Sequence, residues 1–147
     1  MGYDLFGKQG YIDFNITAWG MLFDLACEHG WEPAGTVRCV WVDKKTGTPF
    51  QVGGFRPADV ADEDGKWVEN REWRGTYFSN DGQEITDADA LNLAAAVERA
   101  LIKLPMLQRS RPPRIDDDPL TFWADAEGVG LLKKAVAFFK KGGCCII

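Results

Sequence analysis

One histidine, His29, and four cysteines, Cys27, Cys39, Cys144 and Cys145, are all the imidazole and thiol ligands in 147 positions. No C-x-x-C pair occurs and one cysteine pair is vicinal, which argues against a zinc site and against a secreted disulfide framework. No apolar run approaches the roughly 20 residues that span a bilayer. The chain opens Met1-Gly2-Tyr3-Asp4 without a basic segment followed by an apolar one, so no signal peptide is expected. Phe6 stands where a myristoylation pattern needs Ser or Thr. A cytoplasmic location follows by elimination. Basic stripes are missing too. The net charge is −5 and only short clusters such as Arg109, Arg111 and Arg114 occur. Nucleic acid is therefore not expected as the main ligand, nor is an anionic membrane. The signatures G-x-S-x-G, H-E-x-x-H and Walker A are absent.

What is present describes an ordinary globular chain. Apolar residues make up 46% and charged residues 27%, at a length typical of one domain, so residues 1–147 are expected to share a single core. Six Trp and nine Phe are many for this length. Large aromatics carry interfaces as well as cores, which points to a protein partner. An acidic chain suits a partner with a basic surface.

Alternation of Ile12, Phe14 and Ile16 predicts a strand over Tyr11–Ile16. Thr17 then caps a helix whose stripe is Trp19, Leu22, Phe23 and Ala26, stopped at Gly30. Thr36–Val42 and Thr48–Val52 read as a hairpin about Lys44-Lys45-Thr46-Gly47. Residues 53–66, rich in Gly, Pro, Asp and Glu, read as a long loop. Trp73–Phe78 reads as a strand, Ser79-Asn80-Asp81-Gly82 as a turn, and Gln83–Ile85 as a short return strand. Thr86 caps the clearest helix, with Asp89 as the second half of a capping box. Its buried face is Ala90, Leu93, Ala94, Val97, Leu101 and Leu104, and Pro105 ends it. Residues 105–119 form a Pro-rich connector. A last helix spans Glu127–Lys141 with Leu132, Ala135, Val136 and Phe139 inward, broken at Gly142 and followed by a terminal strand. The fold class is α+β: an antiparallel-rich sheet of about four to six strands with about three helices packed on it.

Chemistry-bearing constellations are few, and neither a metal nor a cofactor is expected. An EF-hand alignment on Gly65 puts Val60 and Arg71 at the key ligand positions and fails. Asp116-Asp117-Asp118 reads as a solvated acidic run. His29 falls at a helix end, and Cys27, two residues away, does not face it. Glu69, Glu72, Asp81 and Glu84 are the acids that could pair across the sheet as acid and base. Cys144-Cys145-Ile146-Ile147 has the outline of a prenylation box, but only Lys140 and Lys141 precede it and a buried strand accounts for the same residues. Trp67, Val68, Trp73 and Arg74 are of the types enriched in binding hot spots, flanked by Asp62, Glu63 and Asp64.

The residues Trp73, Gly75, Tyr77, Ser79-Asn80-Asp81-Gly82-Gln83, Ile85, Thr86, Asp89, Ala90, Leu93 and Ala94 form a motif that resembles one in small bacterial proteins of unassigned function. The opening Met1-Gly2-Tyr3-Asp4-Leu5 and the close Phe138-Phe139-Lys140-Lys141-Gly142-Gly143 extend the resemblance. It implies a bacterial or phage origin and transfers no catalytic residue. By analogy with small acidic proteins of that origin, the expected role is non-enzymatic: an inhibitor or immunity-type factor of bacterial or phage conflict. It would present Trp67, Trp73, Arg74, Asp62, Glu63, Asp64 and Asp116 to Asp118 to a basic protein. The competing expectations are a small hydrolase-like enzyme with paired carboxylates, and a homo-oligomer joined through the last strand at a sheet edge.

Overall fold

Asn15 decides where the first hairpin ends and the first helix begins. Strands β1 (Gly2–Gly7) and β2 (Gly10–Asn15) pair antiparallel around Lys8 and Gln9, with Gly10 at φ +115°. The Asn15 side chain then accepts from Ala18 N, which caps helix α1 (Ile16–Glu28). Ile16, expected as a strand residue, is thus the first residue of the helix, and Asn15 rather than Thr17 is the cap. The buried stripe of α1 widens to Ala18, Trp19, Met21, Leu22, Phe23, Leu25 and Ala26. Gly30 stops the helix at φ +91°, as expected of a residue without a Cβ.

The computed structural model describes residues 2–35, 37–38, 41–42, 49–50, 59–61, 67–69, 77, 80, 82–108 and 111–147. Strand β3 (Val37–Arg38) does not belong to the expected hairpin. The pairing of β4 (Trp41–Val42) with β5 (Pro49–Phe50) does. The expected loop 53–66 contains β6 (Asp59–Ala61), which pairs antiparallel with β7 (Trp67–Glu69). Three residues are too few to show a period of two, so composition alone made this stretch look like loop. Strand β8 (Gln83–Ile85) is present as expected.

Helix α2 (Asp87–Lys103) begins at Thr86, whose hydroxyl accepts from Asp89 N. Three more elements follow: α3 (Pro119–Trp123), α4 (Ala126–Phe139) and β9 (Cys144–Ile146). The short α3 was not expected; Asp118 caps it and Pro119 stands in its first turn. Leu132, Ala135, Val136 and Phe139 of α4 are all buried.

The main sheet runs β2-β1-β9-β8-β3, antiparallel throughout, with the helices on one face. The α+β class is therefore as expected. The terminal strand β9 lies in the middle of the sheet. That position overturns a homo-oligomer joined through β9, because both of its edges are already paired. It also removes Cys144, 5% exposed, from reach of a prenylating enzyme. Tyr3, Leu5, Phe14, Ile85 and Ile146 point from the sheet into a core shared with Trp19, Phe23, Trp31, Leu93, Leu132 and Phe139. Close approach at the sheet–helix junction is strict: a Cβ on Gly143 would lie 2.1 Å from Ile85 O. Among the described residues no helix is long and apolar enough to cross a membrane.

Candidate functional site

Asp89, 2% exposed, holds together the two chain ends that flank residues 36–76. Its Oδ1 accepts from Ala34 N at 3.0 Å and its Oδ2 from Gly35 N at 3.2 Å. The Tyr77 hydroxyl lies 2.5 Å from Asp89 Oδ2 and 2.8 Å from Gly35 O, so one proton serves two acceptors. Burial, then the Asp89 hydrogen bond and charge, push the Tyr77 phenol well above its ordinary range. The expected capping box is thus only half built. Thr86 caps, but the Asp89 carboxylate turns away to bind the 34–35 backbone. Tyr77 itself sits at φ +63°, in the left-handed region, so the strand expected over Trp73–Phe78 does not include it. Its N–H goes to Gln83 Oε1 and its carbonyl accepts from Trp19 Nε1, which replaces a ladder with side-chain bonds. This cluster is a neck, and its duties are structural.

The face of the sheet turned away from the described helices is different. Asp4 and Phe6 of β1, Tyr11 and Asp13 of β2, Cys145 of β9 and Glu84 of β8 alternate with the buried residues and so point away from the helices. Tyr11, Phe6, Cys145 and Glu84 form one row across four strands. Phe6 is 47% exposed and Tyr11 52%, with ring centroids 4.9 Å apart. In the neighbouring row Asp4 stands directly opposite Asp13. The backbone N–H and C=O of Asp4 both bond to Ile147 on the β9 side. Asp4 and Asp13 therefore form a pair of the non-hydrogen-bonded kind, whose side chains come closest, at about 4.5 Å between Cα atoms. Like charges so placed oppose each other. Tyr11 Oη donates to Asp4 Oδ1 at 2.7 Å. That bond, then burial, then the charges of Asp13 and Asp4, push the Tyr11 phenol up to about 12. Asp13 makes no side-chain hydrogen bond or ion pair among the described residues.

The expected site residues are distributed otherwise. Asp62, Glu63, Asp64, Trp73 and Arg74 lie outside the described residues, as do Glu72 and Asp81, and Trp67 is placed only as a β7 backbone position. Of the acidic run, Asp118 is spent as the α3 cap, and its Thr121 hydrogen bonds hold the carboxyl below the usual range. Asp117 clasps the Arg111 guanidinium and accepts from Arg114 N, leaving Asp116 exposed. His29 closes α1: its Nδ1 donates to Leu25 O at 2.7 Å, and Arg99 covers its carbonyl. Burial, then the charge of Glu84, push the Cys144 thiol up to about 12, and Cys145 is disulfide-bonded.

A cleft of about 190 Å³ opens between α1, α3 and α4, walled by Ala18, Pro113, Phe122 and Leu131. Its two carboxylates are Asp125 and Glu127, not the acids expected to pair, and Asp125 Oδ1 caps α4 through Gly128 N at 2.7 Å. Among the described residues no group of three or more His, Cys, Asp or Glu could hold a metal ion.

Sequence reasoning missed Asp4, Phe6, Tyr11 and Asp13 as a set. The available signal was Lys8-Gln9-Gly10 as a turn between the alternations Tyr3/Leu5 and Ile12/Phe14, which would have set the four residues on one face. No protein-family model, curated protein or solved structure matches this chain.

Proposed function

We propose that this protein is a non-enzymatic binding factor of the inhibitor or immunity type, which engages a basic protein through the outer face of its sheet. The observation that carries this reading is the half-exposed Phe6–Tyr11 pair beside the opposed carboxylates Asp4 and Asp13. Aromatic surface left in water and like charges held face to face both work against the free molecule. A cationic partner relieves both: it covers the rings and neutralises the pair, while the net charge of −5 speeds encounter. The setting is bacterial or phage conflict, by analogy with small acidic proteins of the origin that the motif resemblance implies; the motif itself carries no activity.

The test passes a lysate of the native host over the immobilised protein and over an Asp4→Asn/Asp13→Asn variant. The expected result is a basic protein retained by the wild type and lost by the variant, with the variant no less stable in urea. Equal retention by both rejects the reading.

A further inference from the structure

The register of the first hairpin says more about how a partner attaches. Among the described residues strand β2 is an edge of the main sheet, with β1 as its one neighbour. Asp4 is bonded towards β9, so the Asp4–Asp13 pair is non-hydrogen-bonded within the β1–β2 ladder. The N–H and C=O of Asp13 therefore point away from β1, towards the open edge. Tyr11, two residues earlier, has the same orientation. No hydrogen bond among the described residues takes these groups. Gly10, Tyr11, Asp13 and Asn15 are all exposed.

We propose that β2 is a docking edge that accepts an extended segment of a cationic partner as a sixth strand of the main sheet. The inference rests on the basic-partner reading and adds the mode of attachment. Backbone bonds to Tyr11 and Asp13 supply register-dependent affinity, as in other cases of strand addition. An added strand places alternate side chains on the outer face, beside Tyr11 and Asp13. A basic residue there meets the Asp13 carboxylate, and an apolar stem covers the Tyr11 ring.

Charge also decides the occupant. A second copy of β2 would bring two Asp4–Asp13 pairs onto one continuous face, and like charges across strands repel. The same carboxylates that blunt this edge against self-pairing select a cationic strand.

The probe is the capped hexapeptide Val-Lys-Val-Lys-Val-Lys, with Val-Glu-Val-Glu-Val-Glu as the charge control. Amide hydrogen exchange and chemical shifts are read by NMR. In the free protein the Tyr11 and Asp13 amides exchange fast. At saturation with the lysine peptide both slow by about tenfold or more, and the glutamate peptide does not bind. Asp13→Lys, an exposed change that leaves the fold intact, reverses the peptide preference. Shift changes at Asp4, Phe6, Tyr11 and Asp13 without slowed exchange would overturn strand addition and leave the basic-partner reading standing. No binding by either peptide, or equal binding of both, would overturn the two together.

Discussion

Two side chains, Asp89 and Tyr11, show how differently a carboxylate–phenol contact works in the core and on the surface. Asp89 is a buried acceptor with three donors, and it closes the neck between Gly35 and Tyr77. Asp89→Ala leaves two backbone N–H groups short of an acceptor and is expected to cost about 2–4 kcal/mol in urea denaturation. A change below about 0.5 kcal/mol would show that the neck is not a structural requirement. Tyr11 lies at the surface, where its hydroxyl donates to Asp4. Its phenol, raised to about 12, keeps its proton in the folded state after the unfolded chain has lost it. This contribution to stability is whole below pH 10 and declines as pH rises from about 10 to 12. All three tyrosines are raised, Tyr3 and Tyr77 through burial first. An ultraviolet titration of the folded protein should therefore show tyrosinate appearing at higher pH than in the unfolded chain, and Asp4→Asn should bring one phenol down towards pH 10. A full-height step near pH 10 in the folded wild type would contradict the Tyr11–Asp4 contact.

Elements were legible in the sequence where a long period or a cap announced them. The stripes of α1, α2 and α4 are amphipathic over several turns, so their existence was readable, although Asn15 rather than Thr17 begins α1. Of the short elements, β8 and β9 were readable from the turn and glycine signals before them, but α3 and β6 were not. Helix α3 has five residues and starts inside an acidic run whose third member, Asp118, is its cap. Strand β6 has three residues within a stretch whose composition reads as loop. Strand order was also beyond reach, because the insertion of β9 between β1 and β8 is a pairing of distant segments. The same limit hid the candidate site: Asp4 and Asp13 are nine positions apart, and only the register sets them face to face. The central position of β9 has a chemical consequence. Cys144, buried and with its thiol raised to about 12, should resist iodoacetamide in the native protein and react once the sheet is unfolded in denaturant. Cys27, at the surface, should react first. Rapid native labelling of Cys144 would contradict a closed sheet centre.

The molecule as a whole divides its tasks between two sides. One side of the sheet is sealed by α1, α2 and α4 over a continuous aromatic and aliphatic core. The other carries Asp4, Phe6, Tyr11, Asp13 and Glu84 and ends at the β2 edge. Stability resides in the first and, in our proposal, recognition in the second, so changes on the outer face should alter binding while leaving folding intact. The expected hot spots at Trp67 and Trp73 place recognition in the 53–75 stretch, and the outer face offers an alternative whose geometry can be stated atom by atom. Electrostatic attraction acts chiefly on the rate of encounter. The most direct test is therefore the association rate of the captured basic protein with the wild type and with Asp4→Lys/Asp13→Lys, measured across a range of salt concentrations. The account predicts that charge reversal lowers the rate by about tenfold or more at low salt and that the difference shrinks as salt rises. An association rate unchanged by the reversal, at any salt concentration, would contradict it.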